Sequence, residues 1–397
     1  MAESSSRPLT TLPLLVFVGI AEALCPHCTE DPADRDWKPP IHSGKSRAVL
    51  SRTHALASLA ATCRGMHYIV LPILYHQVQC YPHQRLHLLR TLDSRPDLAR
   101  RVKVLRLDFC LDGDKREPTL DNSGTRKLIL DDNAGLHPGT CATPWMDWEA
   151  GNLHVNLLMA VCPNLEKFST DMGPLDLFDL LKPGTLQHLK DVLITPTTAE
   201  ACLQFGVVWL LFYAAPSIER ITSHRAARAG RRLLPMTNLR HLHLESNWMS
   251  ARCLDEVTTE HLMMLLLRNA PQLKHLDLNL NDINTISVGL EDKDNELDWD
   301  EDYPDPVPGF ASFSSLETLV VVGSDIWAEW ADHQPVATLF PQSLRTLTLV
   351  GTVDTPTVAG VRLDEFASTT RDSLPNLTSV TTRISRAQAP VEYLPVS

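Results

Sequence analysis

The sequence predicts an α/β fold in which short parallel strands, each preceded by a helix, stack into a solenoid behind a helical N-terminal module. Two patterns indicate this fold. A leucine-rich cadence, L-x-x-L-x-L followed by a small polar residue, recurs along the chain, as in LRHLHLESN from Leu239 and LKHLDLNLN from Leu273. Apolar helical stretches stop at Pro163, Pro216 and Pro271, each just before a copy of the cadence. Units of this size bury their apolar faces only by stacking, which favours a parallel concave sheet with outer helices.

Nine strands are predicted from the cadence. Five regular copies and four degenerate ones begin at Val102, Leu165, Leu189, Ile218, Leu239, Leu273, Leu316, Leu344 and Leu377. Within each strand alternate residues, such as Leu242 and Leu244, should point into the core. Small polar side chains after the strands should satisfy backbone groups in the turns, at Asn247, Asn281 and Cys110 and, more weakly, at Ser324 and Thr352. The solenoid is expected over residues 102–385, with exposed loops at about 111–148 and 289–309 and a tail at 386–397.

Residues that alternate with the core leucines should share the concave face of the sheet. Exposed positions of such arrays usually contact partners, so this face is predicted to bind a target protein that the sequence does not identify. Metal binding by its histidines and a merely solvated surface are the alternatives. The predicted face consists of Arg106, Asp108, His241, His243, Glu245, His275, Asp277 and Asn279.

The N-terminal stretch LTTLPLLVFVGIAEALC, residues 9–25, has two interpretations. An apolar run from Leu12 to Ile20 and small residues from Ala21 to Ala23 would suit a secretory signal, although only Arg7 supplies a positive charge before them. The alternative is the first helix of a docking module, whose second half would be SRTHALASLAATCRGMHYIVLPILYHQV at residues 51–78.

Together these two segments resemble the F-box of fungal F-box proteins. That motif begins with Leu-Pro, continues with apolar residues at four-residue steps, and has a second half matched here by Leu56, Leu59, Ala60, Cys63, Arg64, Ile69, Pro72, Leu74 and Tyr75. The similarity extends through RLHLLRTLDSRPDLARRVKVLRL at residues 85–107. The resemblance implies a disordered segment at 1–8, an F-box at 9–80 split by an insertion at about 26–49, and a helical linker at 81–101.

The resemblance also implies a function, because F-boxes combined with leucine-rich repeats are a known arrangement. The chain would be a non-catalytic substrate receptor of a cullin-RING (SCF-type) ubiquitin ligase, with the F-box docked on a Skp-type adaptor. Part of the implied anchor set should also pack the module's own helices. The anchors are Leu12, Pro13, Val16, Ile20, Leu24, Leu56, Leu59 and Pro72. Two alternatives stay open: a leucine-rich scaffold without a ligase role, and a secreted repeat protein.

Composition narrows the partners and the compartment. A net charge of -12 argues against nucleic acid, whose phosphates require a clustered basic surface. No apolar run reaches the roughly 18 residues that span a membrane. Nine irregularly spaced cysteines favour free thiols in a reducing compartment, cytoplasmic or nuclear.

The pair Cys25-Pro-His-Cys28 has the spacing of a redox dithiol, but it follows a helix instead of opening one. With His27 or His42 the pair could also supply half of a zinc site, but no second C-x-x-C completes it. We therefore expect a pair at a helix end, with no metal and no cofactor. No catalytic set can be assembled from the sequence, which predicts that the chain is not an enzyme.

Overall fold

A computed structural model of the chain describes residues 14–29, 44–81, 84–107, 147–172, 181–196, 211–224, 235–246, 266–280, 310–322, 339–351 and 373–384. These residues form α-helices and parallel β-strands. The chain divides into two compact units, the first comprising residues 1–171 and 180–189 and the second residues 172–179 and 190–397.

The described part of the first unit begins with four helices: α1 (Leu14–Leu24), α2 (Pro26–Thr29), α3 (Gly44–Ala61) and α4 (Arg64–Leu74). Helices α1, α3 and α4 share an apolar core made of Ala21, Cys25, Leu56, Ala60, Met66, Val70 and Ile73. Both α2 and the start of α3 lie inside the insertion expected at 26–49, so part of that segment is helical.

Helix α4 shows how the local sequence sets its ends. The extended backbone of Cys63 marks the helix start, and the Cys63 Sγ accepts a hydrogen bond from the backbone N–H of Met66 at 3.5 Å. Pro72 lies in the last turn, and the chain leaves the helix at Tyr75. A strand begins two residues later, at Gln77, so the helical region leads directly into the sheet of this unit.

The rest of the first unit alternates strands and helices. In chain order these are β1 (Gln77–Cys80), α5 (Arg85–Ser94), α6 (Pro96–Ala99), β2 (Val104–Leu107), α7 (Asp147–Ala160) and β3 (Lys167–Met172). Strand β1 pairs in parallel with β2, and β2 with β3. Helices α5 and α6 lie in the segment predicted to be a helical linker.

Among its described residues, the second unit has the same pattern with seven strands. These are β4 (Asp191–Pro196), β5 (Arg220–His224), β6 (His241–Ser246), β7 (His275–Leu280), β8 (Thr318–Val322), β9 (Thr346–Gly351) and β10 (Ser379–Ile384). Each strand from β4 onward pairs in parallel with the next one along the chain. Parallel pairing of consecutive strands confirms the predicted α/β class and is consistent with a repeat array.

All nine strands predicted from the cadence are present, as β2 to β10. Each begins two residues after the first residue of the motif, for example at His241 after Leu239. The predicted stop at proline is also confirmed, since α7 ends at Ala160 and residues 211–214 and 266–269 are helical immediately before Ala215-Pro216 and Ala270-Pro271. The curvature of the sheet and the outer position of the helices stay predictions.

Strand β1 was not predicted. Its sequence, QVQC, carries no leucine cadence and directly follows the helical motif. Its pairing with β2, from Gln77 opposite Val104 to Cys80 opposite Leu107, makes it a strand. A four-residue segment without periodicity takes its structure from its neighbour.

The core of the second unit follows the predicted alternation. Leu242, Leu244, Leu276 and Leu278 are each 1% exposed, whereas His243 and Asp277, which lie between them, are half-buried. Burying a leucine side chain of this kind stabilises a fold by roughly 1.5–3 kcal/mol. The leucines of the repeated motif therefore form the buried face of the strands.

Asparagines before three of the strands donate side-chain hydrogen bonds in the turns. The side-chain amide of Asn164 donates to the carbonyl of Arg100 at 2.8 Å, Asn238 to Pro216 at 2.9 Å, and Asn376 to Gln342 at 2.9 Å. Each bond joins the turn of one repeat to the turn of the preceding repeat. Five predictions on turn residues after the strands, at Cys110, Asn247, Asn281, Ser324 and Thr352, lie outside the described residues.

Four further segment predictions also fall largely or wholly outside the described residues. These are the N-terminal segment 1–8, the loop at 289–309, the tail at 386–397, and the loop at 111–148 apart from the first residues of α7.

Candidate functional site

Helix α1 has one face in the helical core and one face exposed. Ala21 is fully buried, and Phe17, Val18 and Leu24 pack against the same core. Large apolar side chains remain accessible on the other face, where Leu15 is 81% exposed, Val16 41% and Ile20 43%, and at the first residue of the helix, where Leu14 is 61% exposed. We call Leu14, Leu15, Val16 and Ile20 the α1 apolar face. Exposed apolar patches of this kind usually mark interaction sites.

The predicted anchor residues divide between this face and the core. Val16 and Ile20 are exposed, Leu56 is 1% exposed inside the core, and Leu24, Leu59 and Pro72 are half-buried. Leu12 and Pro13 lie outside the described residues. Val16 and Ile20 are therefore accessible to solvent, whereas Leu56 packs inside the helical core, and the adaptor-binding role of these residues stays a prediction.

Leu14 and Leu15 were missed as candidate anchors. The motif frame steps in fours from Leu12 and passes over both of them. An amphipathicity analysis of the isolated helix would not have found them either, because α1 is apolar almost all round. Only the position of α3 and α4 decides which apolar side of α1 is covered.

The exposed face of β6 and β7 carries paired polar side chains. Registry places His243 opposite Asp277, and the His243 Nδ1 lies 2.7 Å from the Asp277 Oδ2. His241 and His275 stack with ring centroids 4.2 Å apart. Burial lowers the pKa of His275 against an opposing effect of Glu317, which favours a neutral stacked ring. Four of the predicted partner-binding residues are thus brought together.

The remaining predicted partner-binding residues are placed differently or lie outside the description. Arg106 is only 7% exposed, because β1 and β3 flank β2 with Gln79 and Ser169 in register beside it. Expected on the open face, it is instead largely buried. Glu245 and Asn279 are opposite each other in the backbone pairing of β6 and β7. Asp108 lies outside the described residues.

A second cluster of side chains meets where α1, α2 and the junction of α4 with β1 converge. One ligand-type atom from each of Cys25, His27, Cys28 and His76 lies within 4.8 Å of all the others. The Cys28 Sγ is 3.4 Å from the His76 Nδ1 and 3.8 Å from the His27 Nδ1, and the Cys25 Sγ is 3.9 Å from the His76 Nδ1. We call these four residues the Cys/His cluster.

The surroundings of the Cys/His cluster disfavour charge on its members. Burial raises the pKa of the Cys28 thiol to about 12, and the neighbouring Cys25 adds to this. Burial also lowers the pKa of His76 to about 4, and it lowers the pKa of His27 although Glu166 opposes the effect. At neutral pH both imidazoles are therefore neutral, which is the form that binds metal ions.

Sequence reasoning named three members of this cluster, Cys25, His27 and Cys28, and missed His76. The expectation that no metal site could be completed rested on a search for a second C-x-x-C, and His42 lies outside the described residues. His76 is 48 residues from Cys28, so spacing alone carries no signal for it. The one available clue was a histidine directly after the Leu-Tyr that ends the helical motif.

Among the described helices, none combines the length and the apolar character needed to cross a membrane. No protein-family model matches this chain, and a comparison with curated proteins finds no match to it.

Proposed function

We propose that this protein is a non-catalytic substrate receptor of an SCF-type ubiquitin ligase. Its N-terminal helices would dock on a Skp-type adaptor, and the strand array would hold a target protein. The receptor would act by proximity, since holding target lysines near a ubiquitin-charged enzyme raises their effective concentration. The resemblance of residues 9–25 and 51–78 to a fungal F-box is the source of this proposal.

The α1 apolar face is the observation that carries the proposal. A small helical domain gains nothing in water from a leucine that is 81% exposed beside another that is 61% exposed. Covering this face with an apolar partner surface would remove both side chains from water. Charged residues do not interrupt the run from Leu14 to Ala21, so the face suits an apolar groove.

The burial of α1 also supports this function over secretion. Ala21 and Cys25 are 0% and 1% exposed in the core shared with α3 and α4. Cleavage of a signal near Leu24 would remove most of that helix and leave the opposing faces of α3 and α4 exposed to water. Intact mass of the purified chain tests this, because a secreted product would lack the residues before about Leu24.

The test of the adaptor proposal is co-purification of the tagged full-length chain with a fungal Skp-type adaptor. A Leu15→Asp, Ile20→Asp double variant places two carboxylates on the α1 apolar face, which water solvates in the free chain. Burying them against an apolar partner should cost several kcal/mol, or at least about a hundredfold in affinity. We expect the wild type to bind and the double variant to be lost from the complex.

A matched control places the same charge on another exposed apolar side chain. Val380 on β10 is 42% exposed, so Val380→Asp should leave adaptor binding unchanged. An unchanged far-ultraviolet circular dichroism spectrum shows that each variant is folded. If the folded wild type does not bind the adaptor, or the double variant binds as well as the wild type, the ligase proposal is wrong. A failure of the wild type would favour the scaffold without a ligase role.

A further inference from the structure

We propose that Cys25, His27, Cys28 and His76 bind one structural zinc ion. This inference is independent of the adaptor proposal, because it concerns the internal architecture of the first unit. It rests on the geometry of the Cys/His cluster, on the carboxylate behind one of its ligands, and on the elements that the four ligands connect.

The donor atoms are already spaced almost as zinc requires. A tetrahedral site with Zn–S bonds of about 2.3 Å and Zn–N bonds of about 2.0–2.1 Å places sulfur and nitrogen ligands about 3.5 Å apart. Three sulfur-to-nitrogen distances in the cluster are 3.4, 3.8 and 3.9 Å. Small side-chain rotations would therefore close the site around an ion without movement of the backbone.

The ligand types select zinc. Two thiolates with two imidazoles in a tetrahedral arrangement are the donor set of structural zinc sites, whereas magnesium and calcium prefer oxygen ligands. Binding would release the two thiol protons to solvent and leave two thiolates that balance the charge of the ion. All four coordination positions would be filled by protein, so the site would be closed and structural.

A carboxylate behind His27 supports the assignment. The His27 Nδ1 faces Cys28, while its Nε2 lies 3.7 Å from the Glu166 Oε2. Glu166 is itself held by the ammonium group of Lys103. Metal-binding histidines commonly donate their second ring N–H to a carboxylate, which holds the other nitrogen in its metal-binding form.

The backbone holds His76 and the cysteines in place before any ion binds. The His76 carbonyl accepts hydrogen bonds from the backbone N–H groups of Lys103 and Val104, both at 2.9 Å, and its own N–H donates to Ile73 at 3.1 Å. Cys25 is 1% exposed, and its N–H donates to the carbonyl of Ala21 at 3.0 Å. The ion would thus link the end of α1 and α2 to the junction between α4 and β1.

The experiment uses the full-length chain purified under reducing conditions, stripped with a chelator and then reloaded with zinc. Elemental analysis measures zinc per chain, and cobalt(II) as the probe reports tetrahedral geometry and thiolate ligation through its visible and near-ultraviolet absorption. We expect about one zinc per wild-type chain. Cys28→Ser and His76→Ala should each lower the zinc affinity by at least tenfold and weaken the cobalt spectrum.

Two variants in the same helical region serve as matched controls. Cys63→Ser removes a thiol outside the cluster and keeps an oxygen that can cap α4, and His67→Ala removes an exposed histidine on the same helix. Both should keep one zinc per chain. A wild-type chain that binds no zinc, that forms a Cys25–Cys28 disulfide under reducing conditions, or that loses zinc equally in the control variants would overturn the proposal.

Thermal unfolding separates a lost ligand from a lost fold. Zinc should raise the melting temperature of the wild type and of both controls, because an ion that binds only the folded chain stabilises it. The stripped Cys28→Ser variant should melt near the stripped wild type and gain little from zinc. An equal gain in Cys28→Ser and in the wild type would place the zinc elsewhere and would contradict the assignment.

Discussion

At the scale of single residues, His154 is an unusual member of the core. It lies on α7, is 4% exposed, and neither of its ring nitrogens has a hydrogen-bond partner among the described residues. Burial lowers the pKa of His154 to about 4, and the nearby positive charge of Arg85 adds to this. The folded chain therefore keeps this imidazole neutral over a pH range in which an unfolded chain protonates it.

The pH dependence of stability follows from that difference. An unfolded chain begins to bind the proton near pH 6.5, whereas the folded chain resists it until about pH 4. The contribution of His154 is fully present above pH 6.5 and is lost as the pH falls to about 4, a change of about 3 kcal/mol in the free energy of unfolding. We expect His154→Leu to flatten the pH dependence over this range.

Urea unfolding of the wild type and of His154→Leu, at a series of pH values from 7 to 4, checks this prediction. As the pH falls from 7 to 4, the unfolding free energy of the wild type should decrease relative to that of His154→Leu. Two curves that run parallel over the whole range would show that His154 is solvated or paired, contrary to the structure.

At the scale of single elements, the residue before a strand links neighbouring repeats within each unit. Its backbone carbonyl accepts two N–H groups from the next repeat; for example, the Lys190 carbonyl accepts from Glu219 and Arg220, both at 2.9 Å. Side chains at these positions form ion pairs, such as that of Lys274 with Glu317 at 2.8 Å. These pairs are partly exposed and contribute roughly 0–1 kcal/mol each. The backbone ladder therefore does more than the charges to align neighbouring repeats.

Helix α1 permits a paired test of which leucines hold the first unit together. Leu56 on α3 is 1% exposed in the core, and Leu15 on α1 is 81% exposed. We expect Leu56→Ala to lower the free energy of unfolding by about 2–5 kcal/mol, because it leaves a cavity, and Leu15→Ala to change it by less than about 0.5 kcal/mol. Chemical denaturation followed by circular dichroism measures both.

The Leu15→Ala variant also tests adaptor binding. Leu15→Ala should weaken adaptor binding while leaving the folded chain as stable as the wild type. A large loss of stability in Leu15→Ala would mean that another part of the chain covers this leucine, and the α1 apolar face would then be part of the fold.

At the scale of the whole molecule, the stability of a strand array depends on how many neighbours each strand has. In the second unit β7 is paired with β6 and β8, and its leucines are 1% exposed. Strand β10 is paired with β9 alone among the described residues, and Val380 on it is 42% exposed. In repeat architectures local stability is close to a sum over such nearest-neighbour contacts.

Hydrogen exchange should reveal this gradient. We expect backbone amides of residues 379–384 to exchange at least about tenfold faster than those of residues 275–280, since opening an edge strand exposes less apolar surface. Exchange monitored by mass spectrometry on peptides from the native chain measures both segments. Equal protection of the backbone amides in the two segments would indicate that β10 is covered by a part of the chain outside the described ranges.

Much of the fold was predictable because the positions of its strands and helix ends depend on local sequence patterns. The alternation around Leu242 and Leu276 predicts strands of two-residue period, and Pro216 and Pro271 predict helix ends, through forces that act over a few residues. The four polar positions at 241, 243, 275 and 277 were also predictable, because side chains of a strand alternate between its two faces. Arg106 shows the limit of that argument, since the alternation does not say how closely flanking strands cover a face.

What the sequence by itself determined is the repeat: which residues form strands, where helices stop, and which leucines are buried. What only the tertiary structure decided is which side of the uniformly apolar α1 remains open, that QVQC becomes a strand, and that His76 meets Cys25 and Cys28 across 48 or more residues. The physical reason is the range of the interactions. Periodicity and proline act between near neighbours in the chain, whereas coverage of a helix face and convergence of ligands depend on distant segments packed together in space.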